Sequence, residues 1–293
     1  MVTLDRLILG SNAFEGVSYT SRSQSLHYLE HFGNPDNVVA VLAAAHSLGV
    51  KTFALSNTEN VMAALEKFDR SKELTLLPVI PNVYEYARDA SEKGVLGSVL
   101  EKAKRINMYQ KIRLGLRALG KIKSVLSKDV FDLLVELIDF ELAAFRPYKI
   151  GAVLLHGQVT DLALSSHNKG LLDLFFNLMR DEHGLEPMLA THNFGTLVPQ
   201  LMEWGIKVPV MAPLNKRGFM MKPNPEACLK LVEEAGYPVI AKKVLAGGRL
   251  TPEEGFGFVA DKKIISAVVG IGSVPEAYHS LSVGKQALKF TSA

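Results

Sequence analysis

The sequence contains a single cysteine, Cys228, in 293 residues, which excludes an internal disulfide and is typical of proteins from a reducing compartment. It also lacks any apolar run near the roughly 18 residues that a membrane-spanning helix needs. The N-terminus has no basic segment followed by a long apolar stretch, so we expect no secretory signal and no membrane span. Together these absences predict a cytoplasmic protein.

Neither sign of charge dominates, because 33 Lys and Arg against 30 Asp and Glu give a formal net charge of +3. So small an excess argues against nucleic acid as a partner. Hydrophobic residues make up 48% of the chain and charged residues 22%, an ordinary globular composition with ample apolar material for one large core. The composition does not predict an oligomeric state.

Short apolar runs alternate with amphipathic stretches of helical length, a pattern typical of βα units and a parallel sheet. Several runs are apolar without alternation, as expected for parallel strands buried on both faces. Eight such units favour an α/β fold of the closed (β/α)8 TIM barrel type, with a doubly wound open sheet as the alternative. We predict a single barrel domain over residues 1–293, with strands at 4–11, 51–56, 74–81, 150–157, 186–193, 208–215, 239–245 and 265–272.

Helix start signals lie between these strands. Asn34 precedes a proline at a first helical position, and Thr251 and Ser273 each open a capping box with a glutamate three residues later. These signals predict helices that begin near residues 35, 252 and 274.

One interval breaks this rhythm, since residues 88–128 form an apparent helical basic insertion between strands 3 and 4, before a barrel helix at 129–146. Basic residues far outnumber acidic ones over residues 97–126, and apolar residues recur there at three- and four-residue spacing. The segment is interpreted as a helix packed on the barrel with a solvated basic face. The alternatives are a lid over an anionic ligand, or an interfacial helix that contacts acidic lipid or RNA.

Residues that bind and react in a (β/α)8 barrel lie where strands end and βα loops begin. His156 ends the run GAVLLH, where an imidazole can donate a hydrogen bond to a carbonyl or transfer a proton. Lys243 follows the run VIAK, and a lysine directed into a dry barrel can attack a carbonyl or bind an anion. Strand alternation would then turn Lys242 to the opposite side. The polar residues predicted to assist at other strand ends are Asn82, Tyr84 and Asn193.

His192 lies on the strand after the one that ends in His156. If Thr191 points inward instead, His192 is structural. The two histidines could share a metal ion, with Glu59 or an aspartate from elsewhere in the chain as a third ligand, but no established ligand spacing supports this. We therefore predict no metal.

Two glycine-containing turns, AGGR and GIGS, follow predicted strands 7 and 8, whose loops are the usual phosphate site of this fold. Glycines let backbone N–H groups approach a phosphate, and the N-terminus of the following helix adds a favourable dipole. The alternative is two tight turns without a ligand. The predicted ligand is a phosphorylated small molecule or dinucleotide, bound by Asn215, Arg217, Gly247, Gly248, Arg249, Gly270, Gly272 and Ser273.

Three stretches, VMAPLNKRGF, VIAKKVLAGGRLTPEEGFGF and AVVGIGSVPEAYHSL, resemble the aldo/keto reductase superfamily. GAVLLHG resembles the family's strand-4 motif, which ends in its catalytic histidine, here His156, and ATHNFGTLVPQLMEWG resembles its strand-5 region. The resemblance covers the chain from about residue 150 onward. It implies a (β/α)8 barrel, NADP(H) bound across the ends of strands 7 and 8, and oxidoreductase activity.

The sequence departs from the family's catalytic tetrad of Asp, Tyr, Lys and His. Ala54 stands where the family has Asp, and no tyrosine follows that strand. The family's Lys ends strand 3, where this chain reads Val79-Ile80-Pro81-Asn82, so His156 alone matches. Three hypotheses follow. They are an NADP(H)-dependent oxidoreductase acting on a small carbonyl compound with a non-standard catalytic set, a lyase or isomerase using Lys243 and His156, and a non-catalytic ligand-binding protein.

Overall fold

The computed structural model describes residues 4–82 and 130–289, which form a barrel of parallel strands surrounded by helices. A π-helical turn, Leu178–Glu182, follows the helix that ends at Asn177. In chain order the described elements are β1 (Leu7–Gly10), α1 (Arg22–Phe32), α2 (Pro35–Ser47), β2 (Thr52–Leu55), α3 (Glu59–Lys67), β3 (Thr75–Ile80), α4 (Val130–Phe145), β4 (Lys149–Ile150), β5 (Val153–Leu155), α5 (Gly157–Ser165), α6 (Lys169–Asn177), β6 (Pro187–Ala190), α7 (Phe194–Glu203), β7 (Val210–Pro213), α8 (Pro225–Glu233), β8 (Val239–Lys242), α9 (Pro252–Ala260), β9 (Ser266–Gly270) and α10 (Val274–Ala287).

The sheet closes on itself, because β1 pairs with both β2 and β9, and β2 also pairs with β3. The short strands β4 and β5 both pair with β3 and are two segments of one barrel strand. Counting them once leaves eight barrel strands among the nine described. The predicted (β/α)8 barrel is confirmed, and the open-sheet alternative is wrong.

Alternation along the strands divides the core into two clusters. Ile8, Ala54 and Ile240 belong to the small cluster that fills the barrel interior. Their immediate neighbours, such as Leu7 and Phe53, pack in a larger cluster between the sheet and the helices. Because side chains on a strand face the same way every second residue, this register decides which residues beyond each strand reach the barrel mouth.

The predicted capping signals are confirmed at two helices and corrected at a third. Asn34 accepts the Asp36 N–H at α2, and Thr251 forms a reciprocal capping box at α9. At α10, Ser273 accepts the N–H of Glu276, but the Glu276 carboxylate accepts the N–H of Gly272 instead of that of Ser273. The box is half formed because this carboxylate is directed to the loop that follows β9.

Helix α4 is the barrel helix predicted at 129–146. The predicted insertion at 88–128 and Tyr84 lie outside the described residues. Among the helices of residues 4–82 and 130–289, none combines the length and apolar character needed to cross a membrane.

Candidate active site at the barrel mouth

A cavity of about 1140 Å³ opens at the C-terminal ends of the strands, the face on which barrel enzymes carry their active sites. Strand ends and βα loops from most of the barrel contribute to it. Its polar lining residues include Ser11, Asn12, Glu15, Tyr19, Ser56, Glu59, Asn82, His156, Gln158, Asp161, His192, Lys242, Lys243 and Glu276.

The ends of β5, β6 and β8 place basic side chains in this cavity. His156, His192 and Lys242 each lie two residues beyond an interior residue of their strand, which is Leu154, Ala190 or Ile240. Alternation therefore directs all three into the mouth. The prediction that Lys242 turns to the opposite side is wrong, because Ile240, and not Ala241, faces the barrel interior.

Lys243 reaches the same cavity by a different route. Strand β8 ends at Lys242, and Lys243 adopts a left-handed backbone conformation with φ of 57°, which is unfavourable for a residue with a Cβ. Its Nζ lies 3.4 Å from the centre of the Tyr19 ring. Both lysines therefore line the mouth, and we call His156, His192, Lys242 and Lys243 the basic arc.

Burial lowers the pKa of Lys242 to about 8 and that of Lys243 to about 7. Desolvation is the largest cause at both residues, because it penalises the charged amine. The charge of Lys242 lowers the pKa of Lys243 further, whereas Asp161 raises that of Lys242. Near neutral pH, a large share of Lys243 side chains therefore carry a neutral, nucleophilic amine.

The two histidines are neutral at the same pH. Desolvation, followed by the charge of Lys242, lowers the pKa of His156 to about 4 and that of His192 to about 3. The Nδ1 of His156 accepts the N–H of Gln158 at 3.3 Å, so this hydrogen-bond network assigns the ring proton to Nε2. His156 can thus donate a hydrogen bond to a substrate oxygen. The Nε2 of His192 is buried and has no hydrogen-bond partner among the described residues.

Asp161 on α5 connects the basic arc to its surroundings. The fully buried Thr191 donates its hydroxyl to Asp161 and accepts the N–H of Asn193. Thr191 therefore faces α5, and His192 faces the mouth.

Within residues 4–82 and 130–289, no group of three or more His, Cys, Asp and Glu side chains is arranged to hold a metal ion.

The arc formed by β9, β1 and β2 carries carboxylates instead. Glu15, in the loop after β1, accepts the hydroxyl of Ser11, and Glu59 begins α3. Glu276, in the first turn of α10, accepts the Gly272 N–H at 2.8 Å, and burial raises its pKa. We call Glu15, Glu59 and Glu276 the acidic arc. The mouth thus has two arcs of opposite charge.

The glycine turn after β8 is packed against a neighbouring loop. The N–H of Gly248 donates to a carbonyl within its own turn, and the Arg249 guanidinium donates to the carbonyl of Tyr19 and lies 4.2 Å from the centre of the Phe219 ring. A Cβ on Gly247, whose φ is 66°, would lie 2.7 Å from the Cβ of Tyr19. Arg249 therefore braces the turn, and a phosphate-binding role for these residues stays a prediction.

In the turn after β9, the glycine that a phosphate would approach likewise has contacts within the protein. The Gly272 N–H, which a phosphate would use, is bonded to Glu276, and a Cβ on Gly272 would lie 2.5 Å from the Tyr28 hydroxyl. A Cβ on Gly270, which lines the cavity, would lie 4.0 Å from the Asn12 Cβ, and Ser273 caps α10. Phosphate binding at this turn would require Glu276 to move or to be neutralised.

The predicted site residues within the described part of the chain divide into two groups. Asn82, His156, Lys243, Gly247, Gly248 and Gly270 line the cavity, whereas Asn193, Asn215, Arg217, Arg249, Gly272 and Ser273 lie outside its lining. The Asn82 N–H donates to the buried carboxylate of Glu141. The Asn215 side chain bonds both backbone groups of Phe219 and so holds its own loop.

Sequence reasoning missed Asp161 and Glu276 and assigned Lys242 to the wrong side. Counting every second residue from an interior Ile240 would have found Lys242. Asp161 lies one helical turn after Gly157, the first residue of α5, a spacing that could have indicated a carboxylate near the strand end. Only the folded loop after β9 reveals the role of Glu276.

No family model and no curated protein matches this sequence. Two solved structures of candidate aldo-keto reductases from Pseudomonas aeruginosa match with TM-scores of 0.53 and 0.54, at 17% and 16% identity, over 97% of this chain and 91% of theirs. The apo form of Gox0644 matches with a TM-score of 0.50 at 12% identity, over 97% of this chain and 88% of that one. The likeness shows the fold, and it confirms the structural resemblance to aldo-keto reductases that the sequence predicted.

Proposed function

We propose that this chain is an enzyme in which Lys243 forms an imine with the carbonyl group of a small molecule, as a first step of lyase or isomerase chemistry. The observation that carries the proposal is the lysine pair at the end of β8, with pKa values lowered to about 8 and about 7. Desolvation and a neighbouring cation are the two established ways to make a lysine nucleophilic near neutral pH. Both act on Lys243. We place this activity in the cytoplasm.

The neutral Lys243 amine attacks the carbonyl carbon, the π electrons move to the oxygen, and a proton passes from the new ammonium nitrogen to that oxygen, which gives a neutral carbinolamine. His156 can donate its Nε2 hydrogen to that oxygen and hold it in place. Lys242, charged near neutral pH, can supply the proton with which the oxygen leaves as water. The resulting protonated imine withdraws electrons from the neighbouring carbon, where a C–C bond can break or a proton can be transferred.

A second candidate is the reduction of a small carbonyl compound by NADP(H), or the binding of another phosphorylated small molecule. The volume of the mouth favours it, because about 1140 Å³ exceeds the need of a small carbonyl compound alone. The phosphate-binding residues fit such a ligand poorly, since Gly272 is bonded to a carboxylate and Arg249 to backbone carbonyls. We therefore derive no hydride-transfer step.

The test is reductive trapping. The purified protein is incubated with pyruvate or propanal and sodium cyanoborohydride, which converts an imine into a stable secondary amine, and peptide mapping by mass spectrometry locates the adduct. We expect the fastest adduct at Lys243, its loss in Lys243→Met, and its retention in Lys216→Met, which alters an exposed lysine.

A parallel titration with NADPH separates the two candidates. Adducts spread over surface lysines without preference for Lys243, together with micromolar NADPH binding, would favour the reductase. Preferred trapping at Lys243 without NADPH binding would favour the imine enzyme.

A further inference from the structure

We infer that the mouth binds its substrate by a carboxylate group, held between His192 and Lys242, so that the substrate is a 2-oxo acid with its carbonyl beside Lys243. This inference rests on the proposed imine chemistry and names its substrate class. It starts from a different observation, which is a buried hydrogen-bonding nitrogen that no described residue uses.

That nitrogen is the Nε2 of His192. His192 lies two residues beyond the interior residue Ala190, so its ring faces the cavity and not the helices. A buried polar atom without a partner costs stability, and native proteins keep few of them. A bound substrate atom would supply the missing partner.

The surroundings of His192 indicate the charge of that substrate atom. Every charged or titratable group that shifts the pKa of His192 pushes it downward: Lys242, Lys243, Lys222 and His156. The potential at this corner of the mouth is therefore positive, and a neutral imidazole there can donate Nε2–H to an anionic oxygen. Lys242 adds a full positive charge from the next basic strand end, so a carboxylate can bridge the two side chains.

The position of Lys243 then determines what is attached to the carboxylate. Lys243 follows Lys242 directly in the chain, and both residues line the same cavity as His156 and His192. Lys242 is also the charge that most shifts the pKa values of those three residues. In the proposed complex, the carbonyl that Lys243 attacks is on the carbon next to the carboxylate, which defines a 2-oxo acid.

The acidic arc restricts which other groups the substrate can carry. Glu15, Glu59 and Glu276 line the same cavity, so a second anionic group that extends away from the basic arc meets carboxylates. A substrate with a single negative charge avoids this repulsion. The mouth therefore favours monocarboxylate 2-oxo acids over bisphosphates and other polyanions.

The first experiment compares reductive trapping by pyruvate with trapping by pyruvamide, a neutral analogue of almost the same shape. We expect pyruvate to modify Lys243 at least about tenfold faster, and His192→Gln and Lys242→Met each to bring that ratio close to one. The control His279→Gln, at an exposed histidine of α10, should leave the ratio unchanged. Two variants are used because either buried substitution could disturb folding.

The second experiment does not depend on imine formation. Lactate, which has the carboxylate but no carbonyl, is titrated by calorimetry into Lys243→Met and into Lys243→Met/His192→Gln. We expect binding to the first protein and at least about tenfold weaker binding to the second.

The outcomes separate the two proposals. Equal trapping by pyruvate and pyruvamide, or a lactate affinity that is unchanged by His192→Gln, would overturn the carboxylate site and leave the imine chemistry intact. Trapping by neither compound would overturn the imine, and lactate binding would then still decide for or against the carboxylate site.

Discussion

The two arcs of the mouth differ in how well their polar groups are satisfied. On the acidic arc, Glu15 accepts a hydroxyl and Glu276 accepts a backbone N–H. On the basic arc, Lys243 has a left-handed backbone, both lysines are desolvated, and the Nε2 of His192 has no partner among the described residues. Strain and perturbed pKa values concentrate at functional sites. The comparison supports the proposal that the basic arc carries the chemistry, while the acidic arc restricts which ligands enter.

The largest expected effect comes from Lys242→Met, which removes a cation and keeps a side chain of similar length. Without that neighbouring charge, the pKa of Lys243 should rise from about 7 by roughly one unit, since desolvation, the larger cause, remains. The neutral fraction of Lys243 at pH 7, and with it the reactivity, should then fall about fivefold. Competitive labelling with acetic anhydride between pH 6 and pH 10, read by mass spectrometry, measures this pKa directly.

Lys216→Met is the matched control, because Lys216 is exposed, pairs with Glu254 at 3.9 Å and lies outside the cavity lining. It should leave the labelling curve of Lys243 in place. A Lys243 pKa that is unchanged in Lys242→Met would break the comparison, because the two lysines would then not form one electrostatic unit.

The next effect is a loss of folding stability at low pH, which should arise from the histidines of the basic arc. The pKa values of His156 and His192 are about 4 and about 3 in the folded protein, against 6.5 ordinarily. Between these values the unfolded chain binds more protons than the folded one, so stability falls as the pH drops from 6.5 towards 4. His192→Gln should remove part of that fall, on the order of 1 kcal/mol at pH 4.5.

Thermal or urea unfolding at pH 7 and pH 4.5 measures this effect. The exposed His279 gives the control His279→Gln, which should keep the full acid dependence. Carboxylates titrate in the same range, so the difference between the two variants is the relevant quantity. Equal acid dependence in both would mean that His192 is not buried as a neutral group.

The fold could be predicted from the sequence because its signals are local and repeated. Runs such as GAVLLH and VIAK read as buried parallel strands, and the capping box at Thr251 needs only four consecutive residues. The site was predictable as far as position alone decides it, since His156 and Lys243 follow strands whose ends could be located.

What escaped prediction depends on contacts between distant segments. In VIAKK, nothing local shows that Ile240 faces inward, or that Lys243, which is not a glycine, adopts a positive φ. Likewise, Ser273 and Glu276 read as a complete capping box. Glu276 bonds Gly272 instead because of the way the loop after β9 folds.

A smaller effect is expected on the acidic arc. Glu276→Gln keeps an oxygen that can accept the Gly272 N–H but removes a negative charge near the N-terminus of α10. Affinity for a phosphate-bearing ligand such as NADPH should rise about twofold to threefold, because helix N-termini favour anions. Calorimetry measures the change, with Glu253→Gln, at an exposed carboxylate of α9, as control. An unchanged affinity would mean that this carboxylate does not keep phosphates away.

The smallest effect concerns the backbone at Lys243. A left-handed conformation costs a residue with a Cβ roughly 1–2 kcal/mol, a cost that glycine does not bear. Lys243→Gly and Lys243→Ala both remove the desolvated amine, so the difference between them isolates the backbone term. We expect the glycine variant to be more stable than the alanine variant by about 0.5–1 kcal/mol in urea unfolding, after the greater freedom of glycine in the unfolded chain is allowed for. If the alanine variant is equally stable, desolvation of the charged groups alone destabilises the basic arc. The left-handed conformation then serves only to direct Lys243 into the mouth.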